Sequence, residues 1–155
     1  MLDIWVIPPH DPRMSMSPTP DDSPSNASQD AGEENDILSG RRVLIVEDDP
    51  FIAMALEDTL LDFGMCPAGI ASNLREAERL ARESLFDVAL LDVNIGHDTI
   101  DPVADAVAAR GLPFIFTTGH GRAGLPEAYR DRAIVEKPFY VDEILRALRE
   151  ELQRG

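Results

Sequence analysis

Arg42-Val43-Leu44-Ile45-Val46-Glu47-Asp48-Asp49-Pro50 is the stretch whose reading decides the fold. Four apolar residues in a row, three of them β-branched, read as a short strand buried on both faces. Three acids follow at once, and Asp49-Pro50 opens a helix, since proline is tolerated in a first turn. Ile52, Leu56, Leu60 and Phe63 then recur at helical spacing, and Gly64 ends the run. A doubly buried strand feeding an amphipathic helix is one unit of a parallel sheet, because parallel strands need crossover connections.

Working outward, the same unit recurs. Pro67 to Ala71 is a weak second strand, and Ser72 is the expected cap of a helix over residues 73–84 with Leu74, Ala77, Leu80 and Ala81 on its apolar stripe. Phe86 to Leu91 is a third strand, ending at Asp92. Asp101 to Arg110 is an alanine-rich helix stopped by Gly111, and Pro113 to Thr118 is a fourth strand. Ala133 to Glu136 is a short fifth. The last helix runs from about Val141 to Leu152, with Val141, Ile144, Leu145, Leu148 and Leu152 on one face. This alternation predicts an α/β sandwich with a parallel central sheet. One step is irregular. Gly119-His120-Gly121-Arg122-Ala123-Gly124-Leu125-Pro126 holds three glycines and a proline, which leaves room for a short turn around Glu127 to Arg130 but not for a long helix.

Composition narrows the function classes. The 155 residues carry a net charge of −15. Residues 1–40 hold eight acids and one arginine, and residues 41–155 hold twenty-one acids and thirteen basic residues. No basic stripe is present to meet nucleic-acid phosphates or an anionic membrane surface. Residues 8–36 are rich in Pro, Ser, Asp and Asn and poor in large apolar side chains, so residues 1–40 are expected to be a disordered extension and residues 41–155 the folded domain. Cys66 is the only cysteine, which excludes an intramolecular disulfide and a thiolate metal cage, and it is expected to be a small buried hydrophobe. No apolar run approaches the ~20 residues that span a bilayer, and Ile4-Trp5-Val6-Ile7 lacks the basic flank of a signal peptide. A cytoplasmic protein is expected.

In an open parallel sheet, chemistry collects at the carboxyl ends of the strands near the switch in strand order. The first strand ends in Glu47-Asp48-Asp49, the third in Asp92, the fourth in Thr117-Thr118-Gly119 and the fifth in Glu136-Lys137-Pro138. Clustered carboxylates repel one another, and a hard divalent cation such as Mg²⁺ removes that cost through oxygen ligands. A carboxylate beside such a cation can attack a phosphoryl group. A lysine adds a second positive charge on the phosphoryl oxygens, and a threonine hydroxyl adds a hydrogen bond. Each element alone has a plainer reading, as a helix cap, a loop-entry acid, a strand-end hydroxyl or a surface lysine. Their shared edge of one sheet is what makes them a set.

V-L-I-V-E-D-D-P, L-L-D-V-N, F-T-T-G and E-K-P-F, in this order and spacing, resemble a response-regulator receiver domain over residues 41 to about 152. The resemblance implies a flavodoxin-like, doubly wound (βα)5 sandwich with a five-stranded parallel sheet, its fourth helix short or disordered. It implies that Asp92 accepts a phosphoryl group from a histidine kinase or a histidine phosphotransfer protein. It implies that Mg²⁺ is held by Glu47, Asp48, Asp92 and the backbone carbonyl of Asn94. Thr118 is then the switch hydroxyl, Lys137 the phosphoryl-facing lysine, and Lys137-Pro138 a cis peptide. P-F-I-F-T-T-G-H-G is similar to the single-domain alphaproteobacterial receivers called FAT GUY regulators, with Thr117 and His120 as departures.

Two further departures bear on mechanism. Ile134 stands where such receivers carry a switching aromatic, so ordering of residues 119–130 is expected to take over its role. Gly96 replaces the usual proline after Asp92, which suggests a more mobile turn. His97 and His10 read as solvated residues. The chain ends soon after the last helix, at Gly155, so output is expected through contact with a downstream protein or as a phosphate sink, with no nucleic-acid or membrane partner and no enzyme activity beyond slow autodephosphorylation. A phosphorylation-independent pseudo-receiver is the alternative. A phosphohydrolase of the haloacid-dehalogenase kind would need a second Asp two residues after Asp92, where Asn94 stands.

Overall fold

The computed structural model describes Val6–Ile7 and residues 37–154. The expectation for residues 1–40 therefore falls mostly outside the described residues, as does His10. Where it can be followed, at Ile37 to Gly40, the chain is packed. Leu38 is fully buried in the core, and the Gly40 N–H donates to the Gly64 carbonyl at 2.8 Å.

In chain order the strands are β1 (Val6–Ile7), β2 (Arg42–Val46), β3 (Cys66–Ala71), β4 (Val88–Asp92), β5 (Asn94–Ile95), β6 (Asp98–Thr99), β7 (Phe114–Thr118), β8 (Ile134–Glu136) and β9 (Phe139–Tyr140). The helices are α1 (Pro50–Asp62), α2 (Leu74–Glu83), α3 (Asp101–Ala109) and α4 (Val141–Arg154). Their ends follow local chemistry. Asp49 caps α1 by accepting the Phe51 and Ile52 amides at 2.9 and 3.4 Å. Gly64, at φ +86°, turns the chain out of α1 in a conformation that side chains resist. The cap of α2 is Asn73, not Ser72: Asn73 Oδ1 accepts the Glu76 amide at 2.8 Å, while the Ser72 amide donates to Glu76 Oε1 at 3.4 Å. Asparagine binds an orphan amide as well as serine does, so the signal was one residue wide.

The main sheet is parallel throughout, in the order β3-β2-β4-β7-β8. Alternation along β2 fixes its two faces. Val43 and Ile45 pack with Ile52, Leu56 and Leu60 of α1 and with the apolar face of α4. Leu44 and Val46 pack on the other side with Ala77 and Ala81 of α2 and with Val103 and Val107 of α3. Full burial of each such Leu, Ile or Val side chain is worth roughly 1.5–3 kcal/mol. The chain steps from β2 outward to β3, then back past β2 to β4. The order thus reverses between β2 and β4, and this opens a crevice at their carboxyl ends.

The fourth crossover carries no α-helix. It holds two three-residue 3₁₀ turns, Arg122–Gly124 and Glu127–Tyr129, so of the two forms expected the short one is found. Side chains brace it. The Arg122 guanidinium donates to the carbonyls of Arg130 and Arg132 at 2.8 and 2.9 Å. The Tyr129 ring meets Phe114 edge-on at 5.4 Å, and its hydroxyl donates to Asp105. Cys66, expected inside, is exposed, because β3 is an edge strand and Cys66 is its first residue. No helix among the described residues is long and apolar enough to cross a membrane.

Candidate functional site

The crevice at the switch point collects three carboxylates. Glu47 follows β2 directly, Asp48 is next, and Asp92 is the last residue of β4. One carboxylate oxygen from each lies within 4.8 Å of those of the other two. Glu47 and Asp92 are buried, and Asp48 is exposed. Asp49 is not part of this group, because its carboxylate is spent on the cap of α1 and its amide donates to Glu47 Oε2 at 3.1 Å. The three acids of the sequence run therefore divide into two that face the crevice and one that starts a helix.

Lys137 completes the cluster from the end of β8. Its Nζ donates to Asp92 Oδ2 at 3.1 Å and lies 3.2 Å from Glu47 Oε1. The second contact is an ion pair without hydrogen-bond alignment, so Glu47 Oε1 is buried with no hydrogen bond. Burial first, and then the charge on Asp92, push the Glu47 carboxyl up from 4.5 to about 8, against the opposing pull of Lys137. Burial alone would lower the pKa of Lys137, but Glu47 and Asp92 outweigh it and hold the ammonium above the ordinary lysine value. One cation thus faces two buried carboxylates and a third exposed one. Three carboxylates gathered in an all-oxygen donor set fit a hard divalent cation.

The remaining predicted residues are placed around this centre. The Asn94 amide donates to Asp92 Oδ1 at 3.1 Å, which orients the carboxylate. Thr118 ends β7, is 1% exposed, and uses its hydroxyl within its own loop: Oγ1 accepts the His120 amide at 3.0 Å and points to the Gly121 carbonyl at 3.4 Å. Its backbone carbonyl accepts the Lys137 amide at 2.9 Å, tying the two strand ends together. Lys137-Pro138 is cis. His97 and His120 are exposed. The turn after Asp92 is a closed hairpin of β5 and β6 around Gly96-His97, with Gly96 at φ +60°, as the primed two-residue turns require. Asp48 Oδ2 accepts the Gly96 amide at 2.9 Å, so this turn is clamped rather than loosened. The sequence reading missed that clamp. Its signal was present as a glycine between polar residues at hairpin spacing.

Comparison with known proteins agrees with this geometry. The family model "Response regulator receiver domain" matches residues 43–149. Transcriptional regulatory protein PdtaR of Mycobacterium tuberculosis is 32% identical over 112 residues, covering 70% of this chain and 55% of that protein. Phyllosphere-induced regulator PhyR of Methylorubrum extorquens is 32% identical over 117 residues, covering 71% of this chain and 43% of that protein. The chain thus spans about half the length of these two curated relatives. The solution structure of SdrG from Sphingomonas melonis Fr1 superimposes with a TM-score of 0.65 at 39% identity, covering 74% of this chain and 97% of that one. With the reversed strand order and the acidic crevice already in place, the chain belongs to the response-regulator receiver domain family.

Proposed function

We propose that the chain is a phosphoryl-accepting response regulator of a two-component phosphorelay, with Asp92 as the acceptor. The observation that carries this reading is the position of Lys137 Nζ, 3.1 Å from Asp92 Oδ2 and 3.2 Å from Glu47 Oε1, at the switch point of the sheet. A phosphoryl group entering the crevice brings negative charge to the place where positive charge is held. An Asp92 oxygen attacks phosphorus, the phosphorus–nitrogen bond of a donor phosphohistidine breaks, and its electron pair returns to the imidazole. Lys137 follows the charge onto the phosphoryl oxygens. Glu47, Asp48, Asp92 and the Asn94 carbonyl would hold Mg²⁺, which neutralises part of that charge when bound. Thr118 is one residue beyond Thr117, the partner of Asp92 in the sheet register, and its hydroxyl reaches the phosphoryl group by leaving its own loop.

The donor is a histidine kinase or a histidine phosphotransfer protein, and the output is contact with a downstream protein or withdrawal of phosphoryl groups from a shared kinase. The setting is cytoplasmic, with neither nucleic acid nor membrane as partner. The test is intact-mass measurement after incubation with Mg²⁺ and acetyl phosphate. One phosphoryl group is expected on the wild-type chain, and none on Asp92→Asn or in the presence of chelator. A wild-type chain that takes up no phosphoryl group and binds no beryllofluoride would overturn the reading in favour of a phosphorylation-independent interaction module.

A further inference from the structure

Each of the three crevice carboxylates has one oxygen taken by a backbone amide. Glu47 Oε2 accepts the Asp49 N–H at 3.1 Å, Asp48 Oδ2 the Gly96 N–H at 2.9 Å, and Asp92 Oδ1 the Asn94 N–H at 3.1 Å. One oxygen of each carboxylate remains. Glu47 Oε1 and Asp92 Oδ2 face Lys137 Nζ at 3.2 and 3.1 Å, and the third belongs to exposed Asp48. The amides on Glu47 and Asp92 are local, each two residues on from its acceptor. The amide on Asp48 comes from 48 residues away.

The β5–β6 hairpin that brings it there is fixed from both sides. Ile95 is buried in the same apolar cluster as Val93, Ile100 and Val103. The Val93 carbonyl accepts the Ile100 N–H at 3.2 Å across the base of the hairpin, and the Val93 N–H donates to the Thr117 carbonyl at 3.0 Å. At its tip, a Cβ on Gly96 would meet no atom within 4 Å, so space does not ask for glycine there. The backbone does, at φ +60°, and that conformation carries the N–H that reaches Asp48. An amide on one oxygen limits what a carboxylate offers a cation. Ca²⁺ favours a large, pliable oxygen shell that accepts bidentate carboxylates, whereas Mg²⁺ demands a small octahedral shell shared with water. Discrimination between them follows ligand number and rigidity.

We infer that the Gly96 amide sets which cation the crevice takes: by leaving Asp48 a single free oxygen, it favours a small octahedral ion such as Mg²⁺ over a larger one such as Ca²⁺. Gly96 is a positioning residue, since it acts through Asp48 and not on the ion. The inference rests on the reading of the crevice as a cation site within the proposed function, and adds to it the contact that decides between ions.

The experiment titrates Mg²⁺ and, separately, Ca²⁺ into the full chain and follows the amide signals of residues 92–99 by NMR, for wild type, Gly96→Val, Gly96→Ala and His97→Ala. A β-branched side chain resists φ +60°, so Gly96→Val is expected to turn the amide away from Asp48 and free its second oxygen. The ratio of the Ca²⁺ to the Mg²⁺ dissociation constant is expected to fall about tenfold, the size of effect that losing an outer hydrogen bond to a metal ligand brings. Gly96→Ala is expected to show a smaller fall. His97→Ala removes the neighbouring imidazole, keeps the amide, and is expected to leave the ratio unchanged. A general loosening of the fold weakens both ions together and does not move the ratio. An unchanged ratio in Gly96→Val, or an equal fall in His97→Ala, would overturn the inference. Should Gly96→Val not fold, Gly96→Ala decides by the same ratio, and in wild type a Gly96 amide that exchanges as fast as in an unstructured peptide would equally overturn it. Acetyl phosphate labelling of wild type is run in parallel. Label on Asp92 with an unmoved ratio removes the inference and leaves the proposed function, and a moved ratio without label does the reverse. A wild-type chain that binds neither ion removes the inference together with the cation of the proposed function.

Discussion

Glu47 offers a test that reads the crowding of the crevice directly. Its folded carboxyl sits at about 8, against 4.5 for the ordinary group. The folded state therefore holds this proton more tightly than the unfolded chain does. The resulting stability is fully present below the unfolded value and is lost as pH rises through the folded one. Between about pH 5.5 and about pH 8.5, linkage gives a loss of roughly 3 kcal/mol for a shift of this size. The perturbation is a pH series of urea denaturation curves in chelator, on the wild-type chain and on Glu47→Gln. The amide cannot ionise, so its curve is expected to lack this decline. The difference between the two proteins isolates Glu47 from the histidines and from the overall acidity. Excess Mg²⁺ is expected to recover most of the wild-type loss at the alkaline end, because a bound cation favours the ionised carboxylate. A wild-type stability that is flat across the range, or an equal slope in Glu47→Gln, would refute the reasoning.

Lys137→Met leaves two buried carboxylates without their cation, and is expected to cost about 3 kcal/mol at about pH 8.5 and clearly less near pH 6, where Glu47 is protonated; denaturation at the two pH values checks the contrast. Leu38→Ala opens a cavity among fully buried neighbours and is expected to destabilise by about 2–5 kcal/mol, which urea denaturation would read as a lower midpoint at an unchanged slope. Gly96→Ala meets no atom within 4 Å but places a side chain at φ +60°, so a loss of about 1 kcal/mol is expected from backbone strain alone. Tyr129→Phe removes the hydroxyl that Asp105 accepts while keeping the ring on Phe114, so amide exchange over residues 119–130 is expected to rise with acetyl phosphate labelling of Asp92 unchanged.

The sheet was legible because doubly buried strands write themselves as apolar runs, and each of the five lies within two residues of its expected bounds. Pattern alone placed Glu47, Asp48, Asp92, Thr118 and Lys137 at one edge, since strand ends in a parallel sheet share that edge. The division of the acidic run was legible only with the resemblance added, which assigned Glu47 and Asp48 to the crevice, while Asp49-Pro50 read as a helix start. All three are carboxylates, so residue chemistry alone does not tell them apart, and the backbone at the end of β2 separates the helix cap from the pair that faces the crevice. Leu38 was missed because the isolated apolar pair Ile37-Leu38 next to a polar stretch carries no periodicity. Cys66 was misread because burial propensity ignores whether a strand lies at the sheet's edge.

The fourth crossover shows how a composition signal is right about helix and silent about order. Three glycines and a proline exclude a helix, yet the segment is fixed by Arg122 on two carbonyls, by Tyr129 on Asp105 and by buried Leu125. These braces change what a switch has to do. Ile134 offers no ring to rotate, and Tyr129 stands on Phe114 and Phe116 of β7, the strand that ends in Thr118. Movement of the Thr118 hydroxyl toward a phosphoryl group gives up its contacts with the His120 amide and the Gly121 carbonyl, which hold the first 3₁₀ turn in place. The cost is about two modest hydrogen bonds, on the order of 1 kcal/mol each, comparable to what one charge-assisted bond to a phosphoryl oxygen returns. On the proposed function, release of the crossover from its Thr118 end is the expected response, with Tyr129 as its aromatic reporter, and amide exchange of residues 119–130 with and without beryllofluoride would check it.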